Sequence, residues 1–158
     1  MERLAYCSIK GNVEAMREIW ELAKARLTTE ELKILILLRT DRAGRNAWYN
    51  AAYRGKVNVK REIMELAKER LTTEEIRNEM LLRTDGEEWN AWIISAFGGE
   101  VDAMREIWEM VKERITREVI KNEMLLRTDR EGRKAWQFAS FSGNVNLMRE
   151  IWEMAKRD

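Results

Sequence analysis

The side chains able to do chemistry in this chain are few, and their spacing does not bring them together. There is no histidine among the 158 residues, which removes the usual general base and the commonest metal ligand. Cys7, the single cysteine, has no imidazole to draw off its proton. It aligns with Ala51, Ser95 and Ala139 in the repeat described below, so it reads as a small packing residue rather than a nucleophile. Carboxylate pairs such as Glu74-Glu75 and Glu87-Glu88 fall at expected helix starts and turns, where acids are favoured without any catalytic reason. A metal site would rest on carboxylates alone, a poor set for zinc, and no glycine-rich phosphate cradle is present. These residues point away from an enzyme, and they call for no cofactor and no metal.

Charge narrows the partners. The 29 Lys and Arg against 28 Asp and Glu leave a net +1, too little field to draw in nucleic acid or an anionic membrane. Arg39, Arg83 and Arg127 recur at expected helix ends, where they complement the helix dipole. Arg17, Arg61, Arg105 and Arg149, each followed by Glu, read as a solvated helix face. No apolar run is long enough to span a bilayer, and the Met-Glu-Arg-Leu start lacks a signal-peptide core. A cytoplasmic or recombinant setting is the expectation, and one cysteine excludes an internal disulfide.

The elements that carry these residues repeat. Gly11, Gly55, Gly99 and Gly143 each open a related string, 44 residues apart, and residues 41–84 and 85–128 agree at more than half of their positions. The chain divides into a partial repeat 1–40, repeats 41–84 and 85–128, and a partial repeat 129–158, all in one domain over 1–158. With no proline, only eight glycines and no period-two alternation, it is expected to be all-α. Each unit reads as three helices. The first is short, near Ala47 to Arg54, and stops at Gly55. The second runs from about Val57 to Leu71 with Val59, Ile63, Met64, Ala67 and Leu71 at helical spacing. The third opens on a capping box, Thr72 to Glu75, and closes with Met80, Leu81 and Leu82. Asp41, Asp85 and Asp129 begin the turns between units. Such units bury their apolar faces only by stacking, which predicts a repeat solenoid. Two tryptophan series, Trp48, Trp92, Trp136 and Trp20, Trp108, Trp152, are read as packing.

The turn and first helix, Asp41 to Gly55, resemble an ankyrin repeat through Asp41, Gly44, Ala51, Ala52 and Gly55, with Trp48 in the leucine place. The units are longer than the family's, and a third helix stands where the family has a β-hairpin finger. Its histidine place holds Tyr49, Ile93 or Gln137. Glu88 replaces the turn glycine, so that turn is expected to differ in shape. Longer ankyrin-like repeats with a tryptophan at this place are the nearest likeness, and HEAT-like or armadillo-like solenoids suit the unit length next best. The resemblance implies protein binding through a concave face of turns and first helices.

Variation between units points to the same face. First helices differ most, with Tyr49, Asn50, Tyr53 and Arg54 opposite the Trp48, Ala51 and Ala52 side. All tyrosines and phenylalanines lie in first helices, and Trp89 sits in the irregular turn where other units have Arg45 and Arg133. Asn50, Ile94 and Phe138 read as a packed column, in which Asn50 needs a hydrogen-bond partner. Ile9, Tyr53, Phe97 and Phe141 read as a second column, facing outward with Trp89. The candidate partner-binding residues are Ile9, Tyr49, Tyr53, Ile93, Phe97, Gln137 and Phe141 on the helices. Arg42, Arg45, Arg54, Glu87, Trp89 and Arg133 join them from the turns and the helix end, since aromatics and arginines make the commonest hot spots. A protein-binding repeat module for a partner of unknown identity fits best, ahead of a scaffold or design protein with no ligand. A near-constant frame with varied first helices is what an engineered or selected binder looks like, and a recently duplicated array would look the same. Neither end carries a polar cap, so Leu4, Trp152, Met154 and the Ile34-Leu35-Ile36 run predict weak self-association.

Overall fold

The structure, a computed structural model, describes Cys7 and residues 10–156. Among these the chain is all helical and has no strand. In chain order the helices are α1 Val13–Lys24, α2 Thr29–Leu32, α3 Ala47–Tyr53, α4 Val57–Lys68 and α5 Thr73–Ile76. They are followed by α6 Ala91–Gly98, α7 Val101–Arg114, α8 Arg117–Ile120, α9 Ala135–Phe141 and α10 Val145–Lys156. Helices α2, α5 and α8 run on without a break as π turns over Lys33–Leu37, Arg77–Leu81 and Lys121–Leu125.

The local causes are visible at the helix ends. Thr72 Oγ1 accepts from the Glu75 amide at 3.1 Å while Glu75 accepts from the Thr72 amide at 2.7 Å, and Thr28 and Glu31 do the same before α2. Asn46 and Asn90 cap α3 and α6 by accepting from the amides of Tyr49 and Ile93. Each also donates its Nδ2 to a third-helix carbonyl, that of Glu79 at 3.0 Å and that of Glu123 at 2.9 Å. One buried amide side chain thereby starts a first helix and ties it to the third helix of the same unit. The π turns were not legible in the sequence. An i to i+5 bond, Leu82 N to Arg77 O at 2.9 Å, sets residues five apart on one side, and Ile76, Met80 and Leu81 are all buried.

Helices α3, α6 and α9 lie side by side in one row, and α1, α4, α7 and α10 in a second. The short helices α2, α5 and α8 pack on α1, α4 and α7. The core lies between these layers: Trp48 and Trp92 are fully buried, and the Trp92 and Trp108 rings stand 5.6 Å apart. The arginines expected on a solvated face are exposed, and three of them also reach from one second helix to the next. Arg17 grips Glu62 through two bonds of 2.7 Å, Arg61 pairs with Glu106, and Arg105 pairs with Glu150. Exposed on the arginine side, each pair contributes about 0.2–1 kcal/mol.

The turn at Asp85 keeps the shape of its neighbours, against the expectation for Glu88. Asp41, Asp85 and Asp129 each accept at Oδ1 from the amides two and four residues on. Glu88 takes the same left-handed conformation, φ 65°, as Gly44 and Gly132. A side chain there costs roughly 1–2 kcal/mol that glycine avoids. Of the residues expected to be uncovered at the ends, Trp152 is exposed and Met154 is buried, because Met154 lies on the core side of α10. Ile34 is exposed, and Leu4 falls outside the described residues.

Candidate interaction face

The face built by the turns and first helices carries a connected aromatic group. The Tyr53 and Phe97 rings stack at 6.4 Å, and Trp89 lies 5.0 Å from both Phe97 and Phe138. Phe97 and Phe138 meet edge to face at 5.8 Å. Phe97 is 48% exposed and Phe141 77%, while Phe138 is buried with Asn50 and Ile94, as their column predicts. Asn50 finds its partner in the Asn46 carbonyl, at 3.1 Å. Cations cover the ends of the group, with the Arg54 guanidinium 5.0 Å from the Tyr53 ring and that of Arg133 4.9 Å from Phe138.

The candidate residues divide sharply. Tyr53, Arg54, Phe97 and Phe141 lie on the open side, and Arg42 and Glu87 are exposed at turn tips. Arg45 and Arg133 are held back by ion pairs to Asp41 and Asp129. Gln137 is half-buried and accepts from the Lys134 amide at 2.7 Å. Ile9 lies outside the described residues. Tyr49 and Ile93 do not belong to the face. Both are buried, because neighbouring first helices close over that side of α3 and α6. Tyr49 donates its hydroxyl to Asp85 Oδ2 at 2.6 Å, and burial, then this bond, raises its pKa far above the phenol range.

Trp89 is also more tightly held than a projecting turn residue. It is half-buried against the core, and its indole N–H donates to Asp129 Oδ2 at 3.1 Å. Asp129 therefore takes bonds from its own turn, from Arg133 and from the preceding unit. Burial pushes its carboxyl up, but the bonds from Arg133, Trp89 and the Glu131 amide outweigh that and hold it below its ordinary range. Two of the turn aspartates, Asp85 and Asp129, read in the sequence only as turn openers, link neighbouring units, as do the amide bonds Gly86 N to Ala43 O and Arg130 N to Glu87 O.

Sequence reasoning also missed Lys60. It is fully buried on α4, where aligned positions hold Met16, Met104 and Met148. Its ammonium donates to the Ala103 carbonyl at 2.7 Å and stands 4.0 Å from Glu106. Burial lowers its pKa to about 7, against the opposing pull of Glu106. The signal available was a lysine in a methionine column.

One chain of the crystal structure of the yeast ribosomal protein Rps3 in complex with its chaperone Yar1 shares this fold, with a TM-score of 0.68. It is 14% identical, and the match covers 92% of this chain and 86% of that chain. At that identity the likeness is one of fold alone. No family model and no curated protein matches the chain. No helix among the described residues is long and apolar enough to cross a membrane.

Proposed function

We propose that the chain is an ankyrin-like helical repeat solenoid that binds a protein partner through its turns and first helices. The observation that carries this reading is the outward aromatic strip. Phe97 and Phe141 stand open to solvent at 48% and 77% on neighbouring first helices, with Tyr53 stacked on Phe97 and Arg54 beside it. Leaving such surface in water forgoes about 25 cal/mol for each Å² that could be buried. A rigid aromatic strip flanked by arginine matches what protein interfaces use as anchors. The fold-related chain comes from a complex of two proteins, which agrees with this reading.

Panning a displayed peptide library on the chain tests it. Selected binders should lose at least about tenfold in affinity on a Phe141→Ser, Arg54→Glu double variant, whose thermal melt should stay close to the parent's because both residues are exposed. Binders indifferent to the double variant, or no binder after exhaustive selection, overturn the assignment.

A further inference from the structure

The second helices meet along three seams, α1 with α4, α4 with α7 and α7 with α10. Across the middle seam reaches Lys60, fully buried on α4. The aligned residues on α1 and α7 are Met16 and Met104, equally buried and without charge. Lys60 Nζ donates to the Ala103 carbonyl of α7 at 2.7 Å and faces the Trp48 ring of α3 at 5.3 Å. It makes no other hydrogen bond among the described residues, although an ammonium has three protons to donate.

The charged groups that face it are Glu106 from α7 and Arg61 from its own helix. Glu106 stands 4.0 Å from Nζ, too far for a hydrogen bond, and its Oε1 is taken by Arg61. Its Oε2 is shut off from solvent and accepts no hydrogen bond. On the other elements packed against α4, Arg17 of α1, Glu75 of α5 and the Tyr49 hydroxyl of α3 are engaged by Glu62, Lys33 and Asp85. One carboxylate thus serves two cations, and the exposed arginine holds it more closely than the buried lysine. A neutral amine fits this place, whereas an ammonium is left dry and poorly paired. Burial accordingly brings the Lys60 pKa down to about 7.

We propose that the α4–α7 seam is a pH-responsive hinge, closed while Lys60 is a neutral amine and loosened when Lys60 takes up a proton. The two methionine seams do not respond. Opening lets water reach the ammonium and removes the cost of holding it dry. Between about pH 10 and about pH 7 the open seam holds the proton and the closed one does not. Opening therefore gains roughly tenfold for each unit by which pH falls, and levels off below about 7, where both forms are protonated. The Tyr53–Phe97 stack bridges the same two repeats, so the hinge bears on the aromatic strip. It stands whether or not that strip binds a partner.

Thiol labelling of the full chain tests the hinge. With Cys7→Ser as background, matching the aligned Ser95, single probes are placed at Val59→Cys, Ala103→Cys and Leu147→Cys. These three aligned positions are all buried. Rates are corrected with an unfolded peptide thiol at each pH. From about pH 9 down to about pH 7, labelling at Ala103→Cys should speed roughly tenfold per unit, and at the other two by less than about twofold. Adding Lys60→Met should flatten the response at Ala103→Cys. Amide exchange of the unaltered chain, read in α4 and α7 against α1 and α10, makes the same comparison without a new thiol. Equal pH dependence at all three positions would mean that the proton acts only through global unfolding, which overturns the hinge. A flat response at Ala103→Cys, or one that survives Lys60→Met, overturns it as well.

Discussion

Trp92 and Trp136 occupy the same place in neighbouring units, each directly after an alanine, and live in different surroundings. Trp92 is fully buried beside Trp108, while Trp136 is about half open beside an exposed Trp152. Nothing in either residue or its own helix makes the difference. Burial of the first comes with α3 and α9 flanking α6 on both sides, whereas α9 has a first helix on one side only among the described residues. Where helices of like sequence lie side by side, a side chain's energetic weight is set by its neighbour's presence.

The largest effect should separate these two tryptophans. Trp92→Ala is expected to cost about 3–5 kcal/mol through the cavity it leaves, and Trp136→Ala only about 1–2 kcal/mol for the area it still buries. Denaturant melts of both variants check this, and equal losses would break the comparison.

Lys60 comes next, because it places a charge within the covered region. Unfolded, it keeps its proton to near 10.5; folded, burial releases the proton at about 7. Between those values the unfolded state binds more protons, so stability rises with pH across that window. Below about 7 both states are protonated, and the fold carries a buried ammonium. Lys60→Met, matching the aligned methionines, should therefore stabilise the chain by roughly 1–4 kcal/mol at pH 6. The gain should shrink as pH climbs toward 10, and a gain constant over that range would count against the buried charge.

Trp89 sharpens the contrast from between the extremes. Read as a surface residue, it would change stability by no more than about 0.5 kcal/mol on truncation. Packed on Phe97 and Phe138 and bonded to Asp129, it should instead cost about 1–3 kcal/mol as Trp89→Ala. A loss as small as a surface change would return it to the binding face alone.

The smallest effect compares two helix starts. Thr72→Ala removes a reciprocal cap and should cost about 1 kcal/mol. Thr116→Ala should cost only a few tenths of that, since Thr116 makes no side-chain cap bond and Val119 stands where Glu75 stands. Matched thermal melts distinguish the two, and equal shifts would refute the capping argument.

Much of the fold was legible in the residue string because it depends on near neighbours. The Thr72–Glu75 box, the helix stops at Gly55 and Gly99, and the absence of strands among the described residues all follow from contacts within a few residues. The packed column of Asn50, Ile94 and Phe138 was also legible, since its phase on the first helix follows from the 44-residue period. Helical phase alone could not say how much of the opposite side a neighbouring helix would close, so Tyr49 and Ile93 were expected outside and lie inside. The same limit hid the Trp89 bond to Asp129 and the bonds from Asn46 and Asn90 to the third helices, which join groups 33 to 40 residues apart. Composition and period determined the helices, their order and their inward stripes, because hydrogen bonding and amphipathicity act along the chain. Which aromatics stayed open, which aspartate collected the bonds and where a lysine lost its water were decided only when one unit was laid against the next. Burial and electrostatics depend on what stands across the gap, and the sequence of one unit does not contain that distance.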